Sequence, residues 1–301
     1  MARTLRIGMV GLDTSHCVAF TRLLNDSGDP HHFPGGKVVA AYPGGSDLFS
    51  LSRDRVGGFT QQLRDEFRVR IVDSVAEMAA DVDAFLLESV DGRQHLDQFT
   101  QVAVGKPVYI DKPLATSTDE AREIIRLARE TDTPLMSCSS LRYAAGVAEL
   151  VAAGERVLSC EAFGPAAILP DYPGLFWYGI HSAEMLFAQM GAGCEEVRCI
   201  ERDDTDVVIG TWEDGRTGML RGTRLGKDAF GCIAHTDAGV RSALAGSDPP
   251  YYALLMARVM HFFTTGTSPI DLAETFDIIA FLEATDLSRA QGGMPAQTAT
   301  L

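Results

Sequence analysis

Residues 5–16 read Leu-Arg-Ile-Gly-Met-Val-Gly-Leu-Asp-Thr-Ser-His. A short apolar run ends at a glycine, and a Thr-Ser pair suited to open a helix follows. The segment therefore predicts a strand, a tight turn and a helix start. Val18, Leu23 and Leu24 give that helix an apolar face. Working outward, the same unit recurs. Apolar strands are expected at 37–42, 69–72, 82–87, 107–110 and 135–138. Helices are expected at 56–67, after Asp73-Ser74, at 94–104 and from Ser117, where Ser-Thr-Asp-Glu forms a capping box. Six short, continuously apolar strands alternating with helices predict an α/β fold: a doubly wound parallel sheet buried on both faces. Ligands of such sheets sit beyond the carboxyl ends of the strands.

The pattern changes after Arg142. A helix is expected at 144–153, a strand at 157–169 and a helix at 182–190. Alternating strands follow at 197–203, 206–212 and 217–224, with Glu213-Asp214-Gly215-Arg216 as a hairpin turn. Residues 230–244 can supply another strand or two, 250–263 and 272–290 read as helices, and the small polar tail from Gln291 is expected to fray. The division predicted is a first domain over 1–140 and an α+β domain over 141–301, with a mostly antiparallel sheet and helices on one side.

Bulk composition narrows the function. Of 301 residues, 46% are hydrophobic and 22% charged, enough to bury a full core. A net charge of −15 argues against a nucleic-acid partner, because phosphate binding needs a basic face. Cysteines at 17, 138, 160, 194, 199 and 232 form no Cys-x-x-Cys and read as free thiols of a cytoplasmic protein. The longest apolar runs are too short for a membrane span. No set of His and acidic residues shows metal-ligand spacing, so no metal is expected.

Four places carry a resemblance to a known family. They are Ile7-Gly8-Met9-Val10-Gly11 with Ser15-His16; His95 followed by Gly105-Lys-Pro-Val-Tyr-Ile-Asp-Lys-Pro-Leu114; Arg142 just after the sixth strand; and Gly179-Ile-His-Ser-Ala-Glu-Met-Leu186. The chain resembles the glucose–fructose oxidoreductase / inositol dehydrogenase / rhizopine-catabolism (Gfo/Idh/MocA) oxidoreductases. Asp111 stands where the family's lysine motif has Glu, and the Asp-Lys-Pro stretch is the most specific part of the likeness.

The resemblance implies a Rossmann domain that binds NAD or NADP and a second domain for a small-molecule substrate and oligomerisation. The cofactor residues it implies are Gly8, Gly11, Thr14, Ser15, His16, Ser46, Ser89, His95, Asp111, Lys112 and Pro113. Glycines at a strand end let backbone N–H groups approach pyrophosphate at a helix N-terminus. The third glycine of the fingerprint is missing, and Asp13 stands there; a carboxylate so placed repels pyrophosphate unless it turns away to cap the helix. No acidic residue ends the second strand. Gly44, Gly45 and Ser46, with Arg53 or Arg55, can instead cradle a 2′-phosphate or form a plain loop, which leaves NAD versus NADP open.

Catalysis falls to two residues in this reading. Lys112 stabilises charge on the substrate oxygen, and His181 moves the alcohol proton. His181 lacks the aspartate four residues earlier, where Trp177 stands; Glu184 or Asp171 can substitute. Arg142, Trp177, Tyr178 and Glu184 are the substrate candidates. Three functions follow: hydride transfer to or from a sugar, cyclitol or related polyol; a tightly bound cofactor cycling internally for elimination or glycoside cleavage; or a degenerate, non-catalytic binding protein. One open sheet face predicts a homodimer or homotetramer.

Overall fold

The computed structural model describes residues 3–152, 154–226 and 229–301. The chain divides into two compact units. The first comprises residues through Ala115, Asp119–Ser137 and Tyr252–Ile270; the second comprises Thr116–Thr118, Cys138–Tyr251 and Asp271–Leu301.

Six strands build the first unit: β1 (Leu5–Val10), β2 (Gly36–Tyr42), β3 (Arg70–Ile71), β4 (Ala84–Leu87), β5 (Val108–Asp111) and β6 (Leu135–Cys138). Their order is β3-β2-β1-β4-β5-β6. The neighbours of β1, β2 on one side and β4 on the other, run parallel to it. The chain order thus reverses between β1 and β4, which opens a crevice at their carboxyl ends. β4, β5 and β6 are buried at every position, as their unbroken apolar reading requires. Helices α1 (Ser15–Asn25), α2 (Ser50–Phe67), α3 (Ala76–Ala79), α4 (His95–Val102) and α5 (Thr118–Glu130) connect them. On α5, Ile124, Ile125 and Ala128 are buried at the expected helical spacing. α2 begins six residues before the expected 56, because Gly57-Gly58 sits inside it rather than at its start.

The second unit holds β7 (Val157–Pro165), α6 (Gly179–Met190), β8 (Cys194–Glu201), β9 (Thr205–Trp212), β10 (Thr217–Thr223), β11 (Gly231–Thr236) and β12 (Gly239–Leu244). α7 (Tyr251–Thr265) follows and, from Tyr252, joins the first unit although it lies late in the sequence. α8 (Leu272–Ala290) and β13 (Ala296–Gln297) return to the second unit. The sheet order is β12-β11-β7-β10-β9-β8-β13; β7 and β10 are parallel and the other pairings recorded are antiparallel. α6 packs on β7 and β10, and α8 on β8. Trp212 is buried against Phe187, centroids 5.4 Å apart. A Cβ at Gly218 would lie 2.8 Å from the Trp212 ring, so the neighbouring strand needs a glycine there.

Two expectations fail here. Residues 144–152 form turns rather than a helix, and Ala153 lies outside the described residues. Gly146 has φ +85°, which a helix does not accept, and Ala145 bridges to Gly246 instead. The tail does not simply fray: Ala296 and Gln297 pair with β8 as β13.

Candidate active site

The turn after β1 is set by close backbone packing. Gly11 has φ +88°, and a Cβ there would lie 2.3 Å from Ser89 Oγ. Its N–H donates to the Tyr42 carbonyl at 3.0 Å, a peptide group that the fingerprint reading would give to phosphate. Gly8 lies within β1, where a Cβ would press on Phe85 at 3.2 Å. Thr14 caps α1, accepting from His16 N, and Ser15 is exposed in the first helical turn.

Asp13 resolves the difficulty that the sequence raised. It is fully buried and turned into the protein, accepting from Ser52 Oγ at 2.6 Å and Val90 N at 2.9 Å. Burial pushes its carboxyl above the usual range, against these hydrogen bonds. Ser46 is likewise committed: its hydroxyl donates to Asp91 at 2.6 Å and its N–H to Ser52. Arg53 binds the Asp47 carbonyl. These contacts hold the loop after β2 in place, and Ser46 and Arg53 both spend hydrogen bonds within it.

The residues fit a dinucleotide on two counts. The first turn of α1 carries no acidic residue of its own, so its N–H groups are open to an anion there. Ser89 Oγ, buried beside Gly11, has no hydrogen-bond partner among the described residues and offers a donor to a bound oxygen.

At the ends of β4 and β5 stands a dense charge cluster. Lys112 is only 8% exposed, and burial lowers its pKa although Asp111 and Glu88 oppose this. Asp111 would be raised by burial, yet His16 and Lys112 hold it well below the usual carboxylate range. His16 Nδ1 lies 2.7 Å from Asp111 Oδ2, and its ring packs on Phe20 and Tyr252 at 5.5 and 4.8 Å. Glu88 directly follows β4 and is 0% exposed, and burial drives its carboxyl well up. His16, Glu88 and Asp111 each offer a ligand atom within 4.8 Å of the others. They lie far apart in the sequence, so linear spacing could not reveal them. His95 is a brace: its ring nitrogens face the Ser89 carbonyl at 2.8 Å and the Pro113 carbonyl at 2.9 Å, tying the turn after β4 to the turn after β5.

The second unit arranges its charges differently. His181, in the first turn of α6, lies 2.6 Å through Nδ1 from the Ser139 hydroxyl, which also accepts Leu141 N–H at 3.1 Å. Ser139 is thus the ring's orienting partner at that nitrogen, where the sequence pointed to Glu184 or Asp171. Glu184 instead accepts from Arg142 at 3.0 Å, and Arg142 also pairs with Glu274. Arg142 is buried between these carboxylates, which accounts for its charge without a substrate. Burial raises Glu184 to about 7, against the pull of Arg142. Trp177 and Tyr178 neighbour each other at 5.7 Å, and Tyr178 and Phe230 each lie 5.5 Å from His181, so aromatic rings wall the imidazole.

Comparison with known proteins follows this geometry. Residues 53–138 match the model of the Gfo/Idh/MocA family, described as an oxidoreductase family with an NAD-binding Rossmann fold. A curated relative from Salmonella typhimurium named "Putative oxidoreductase YceM" is 28% identical over 142 residues, covering 47% of this chain and 41% of that protein. The chain therefore aligns with less than half the length of that relative. Two solved structures share the fold across nearly the whole chain. GenD2 from gentamicin A biosynthesis, in complex with NAD, has 18% identity and a TM-score of 0.77, covering 100% of this chain and 98% of that one. Myo-inositol dehydrogenase from Lactobacillus casei, in complex with NAD(H) and myo-inositol, has 12% identity and a TM-score of 0.76, covering 99% and 98%. The resemblance read from the motifs is borne out as a likeness: the family model matches the second half of the first unit, and the solved structures share the fold across the chain.

Proposed function

We propose that this chain is an NAD(P)-dependent dehydrogenase or reductase that moves a hydride between nicotinamide and a hydroxyl or carbonyl carbon of a sugar, cyclitol or related polyol. The observation that carries this reading is Lys112: a buried ammonium at the carboxyl end of β5, next to the crevice where doubly wound sheets bind ligands.

The bound nicotinamide would supply the hydride acceptor or donor; the chain supplies orientation and charge. Gly11, the α1 N-terminus and Ser89 are the proposed cofactor contacts. Lys112 donates to the substrate oxygen, where a buried cation stabilises developing alkoxide charge more strongly than it would in water. Its pKa, lowered by burial, also makes proton donation easier. His181 takes the alcohol proton in oxidation or returns it in reduction, with Ser139 fixing the ring. Trp177 and Tyr178 offer apolar faces to a sugar ring.

The outward face of the second-unit sheet supports self-association. Ile209 and Met219 face each other across β9 and β10, Ile233 lies in the same row on β11 beyond Glu161, Arg198 closes the row on β8, and Ile200 adds to the face there. A homodimer or homotetramer that pairs this face is the proposed assembly.

The test follows absorbance at the nicotinamide band across a panel of sugars, cyclitols and polyols. Net turnover of free cofactor is expected with at least one, and Lys112→Met should lower kcat by about 10²–10³-fold while the circular dichroism is kept. Equal rates in wild type and variant would remove Lys112 from the chemistry.

A further inference from the structure

We propose that the first unit carries a site for one divalent transition-metal cation, of the Zn²⁺ or Mn²⁺ class, held by the His16 imidazole and the Glu88 and Asp111 carboxylates. This goes beyond the dehydrogenase reading and does not depend on it. The three residues come from the first turn of α1, the position after β4 and the last position of β5, so the cation would fasten the ends of three adjacent strands β1, β4 and β5.

Glu88 is the decisive group. It is 0% exposed, and neither carboxyl oxygen has a hydrogen-bond partner among the described residues. An ionised carboxylate in that state is costly, and buried polar atoms are nearly always paired. Protonation removes the charge but still leaves the carbonyl oxygen without a donor. A cation satisfies the oxygens directly. Lys112, next to Asp111 in the chain, brings one positive charge to two buried carboxylates.

The three donor atoms are close enough for one ion to draw them together, with the edges to Glu88 shortening. Donor atoms from all three residues already lie within 4.8 Å of one another. Metal–ligand bonds of about 2.0–2.2 Å place ligand atoms roughly 3 Å apart, so the 2.7 Å edge between His16 Nδ1 and Asp111 Oδ2 would open by only a few tenths of an ångström. Phe20 and Tyr252 pack on the imidazole and fix its plane. One nitrogen and two carboxylates suit Zn²⁺, Mn²⁺, Fe²⁺ or Co²⁺; Mg²⁺ and Ca²⁺ favour all-oxygen sets.

The experiment strips the full-length protein with a chelator, reconstitutes it with Zn²⁺ or Mn²⁺, and measures metal content after gel filtration and affinity by calorimetry. About one equivalent per chain is expected, with affinity at least about tenfold weaker in Glu88→Gln and in Asp111→Asn. Both variants are close to isosteric, and circular dichroism checks their fold. Co²⁺ loading of the wild type provides a readout without mutation: visible bands of a nitrogen-containing ligand set should develop, and His16→Gln should shift them. Failure of wild type to bind any of these ions at millimolar concentration would overturn the proposal. Binding unchanged in both carboxylate variants would overturn it too, by assigning the ion to others among the chain's 41 acidic residues. Nicotinamide binding is measured separately on the same samples, so that loss of the metal is told apart from loss of the cofactor.

Discussion

At the strand ends of the first unit, Asp13, Glu88 and Asp111 are buried near a single lysine, and both oxygens of Glu88 go unpaired among the described residues. On α6 of the second unit, Glu184 is buried just as deeply, but the Arg142 guanidinium is shared between it and Glu274. Both regions bury charge, and only one pairs it off. Where pairing is complete, the charges fasten the fold. Where it is not, Glu88 is left with unpaired oxygens beside the proposed site. His181 stands one helical turn before Glu184, and the Ser139 hydroxyl holds its Nδ1.

The contrast can be broken by mutation. Arg142→Met leaves Glu184 and Glu274 without their guanidinium. It should destabilise the protein by about 3–5 kcal/mol in denaturant titration, the loss typical of breaking a buried ion pair. A loss below about 1 kcal/mol would mean that Arg142 is not structural, and would return it to the substrate candidates.

A smaller effect sharpens the same point through pH. Glu184 is raised from an ordinary carboxyl to about 7 by burial. Between its unfolded and folded values the native state holds a proton that the unfolded chain has released, so stability falls as pH rises through this window. Between about pH 5 and 8 the fall attributable to Glu184 should reach up to about 3 kcal/mol, and Glu184→Gln should flatten it. A variant as steeply pH-dependent as wild type would place the proton elsewhere. The smallest change is Ser139→Ala. Loss of one hydrogen bond should cost about 1 kcal/mol of stability. If Ser139 orients a working base, kcat should also fall by about tenfold and the pH profile of kcat should shift; a stability loss with an unaltered profile would make the pair purely structural.

The first unit was legible because its signals are local. Apolar runs, glycine turns and the capping box at Ser117 each name an element within a dozen residues, and six such elements leave few topologies. The helix expected over 144–153 failed because Gly146 takes a left-handed conformation, stabilised by the distant pairing of Ala145 with Gly246. The site was legible only in part, for the same reason. Lys112 and His181 sit in motifs. The partners that decide what the site residues do are long-range: Ser139 for His181, Ser52 for Asp13, Glu274 for Arg142, Asp111 for His16. Glu88 left one trace, a charged residue placed directly after a fully apolar strand. The glycine missing from the fingerprint suggested a lost cofactor site, whereas the fold turns Asp13 inward and leaves the α1 N-terminus without an acidic first turn.

The crevice beside Gly11, Ser89 and Lys112 is the proposed seat of a nicotinamide dinucleotide. Calorimetric titration of the purified full-length chain with NADH and with NADPH tests it most directly. The account predicts saturable one-to-one binding of at least one of them at micromolar concentration, weakened when Gly11→Ala forces a Cβ onto Ser89. Absence of heat and of any shift in thermal stability with either nucleotide at millimolar concentration would contradict it, and would leave a Rossmann fold that has given up its cofactor.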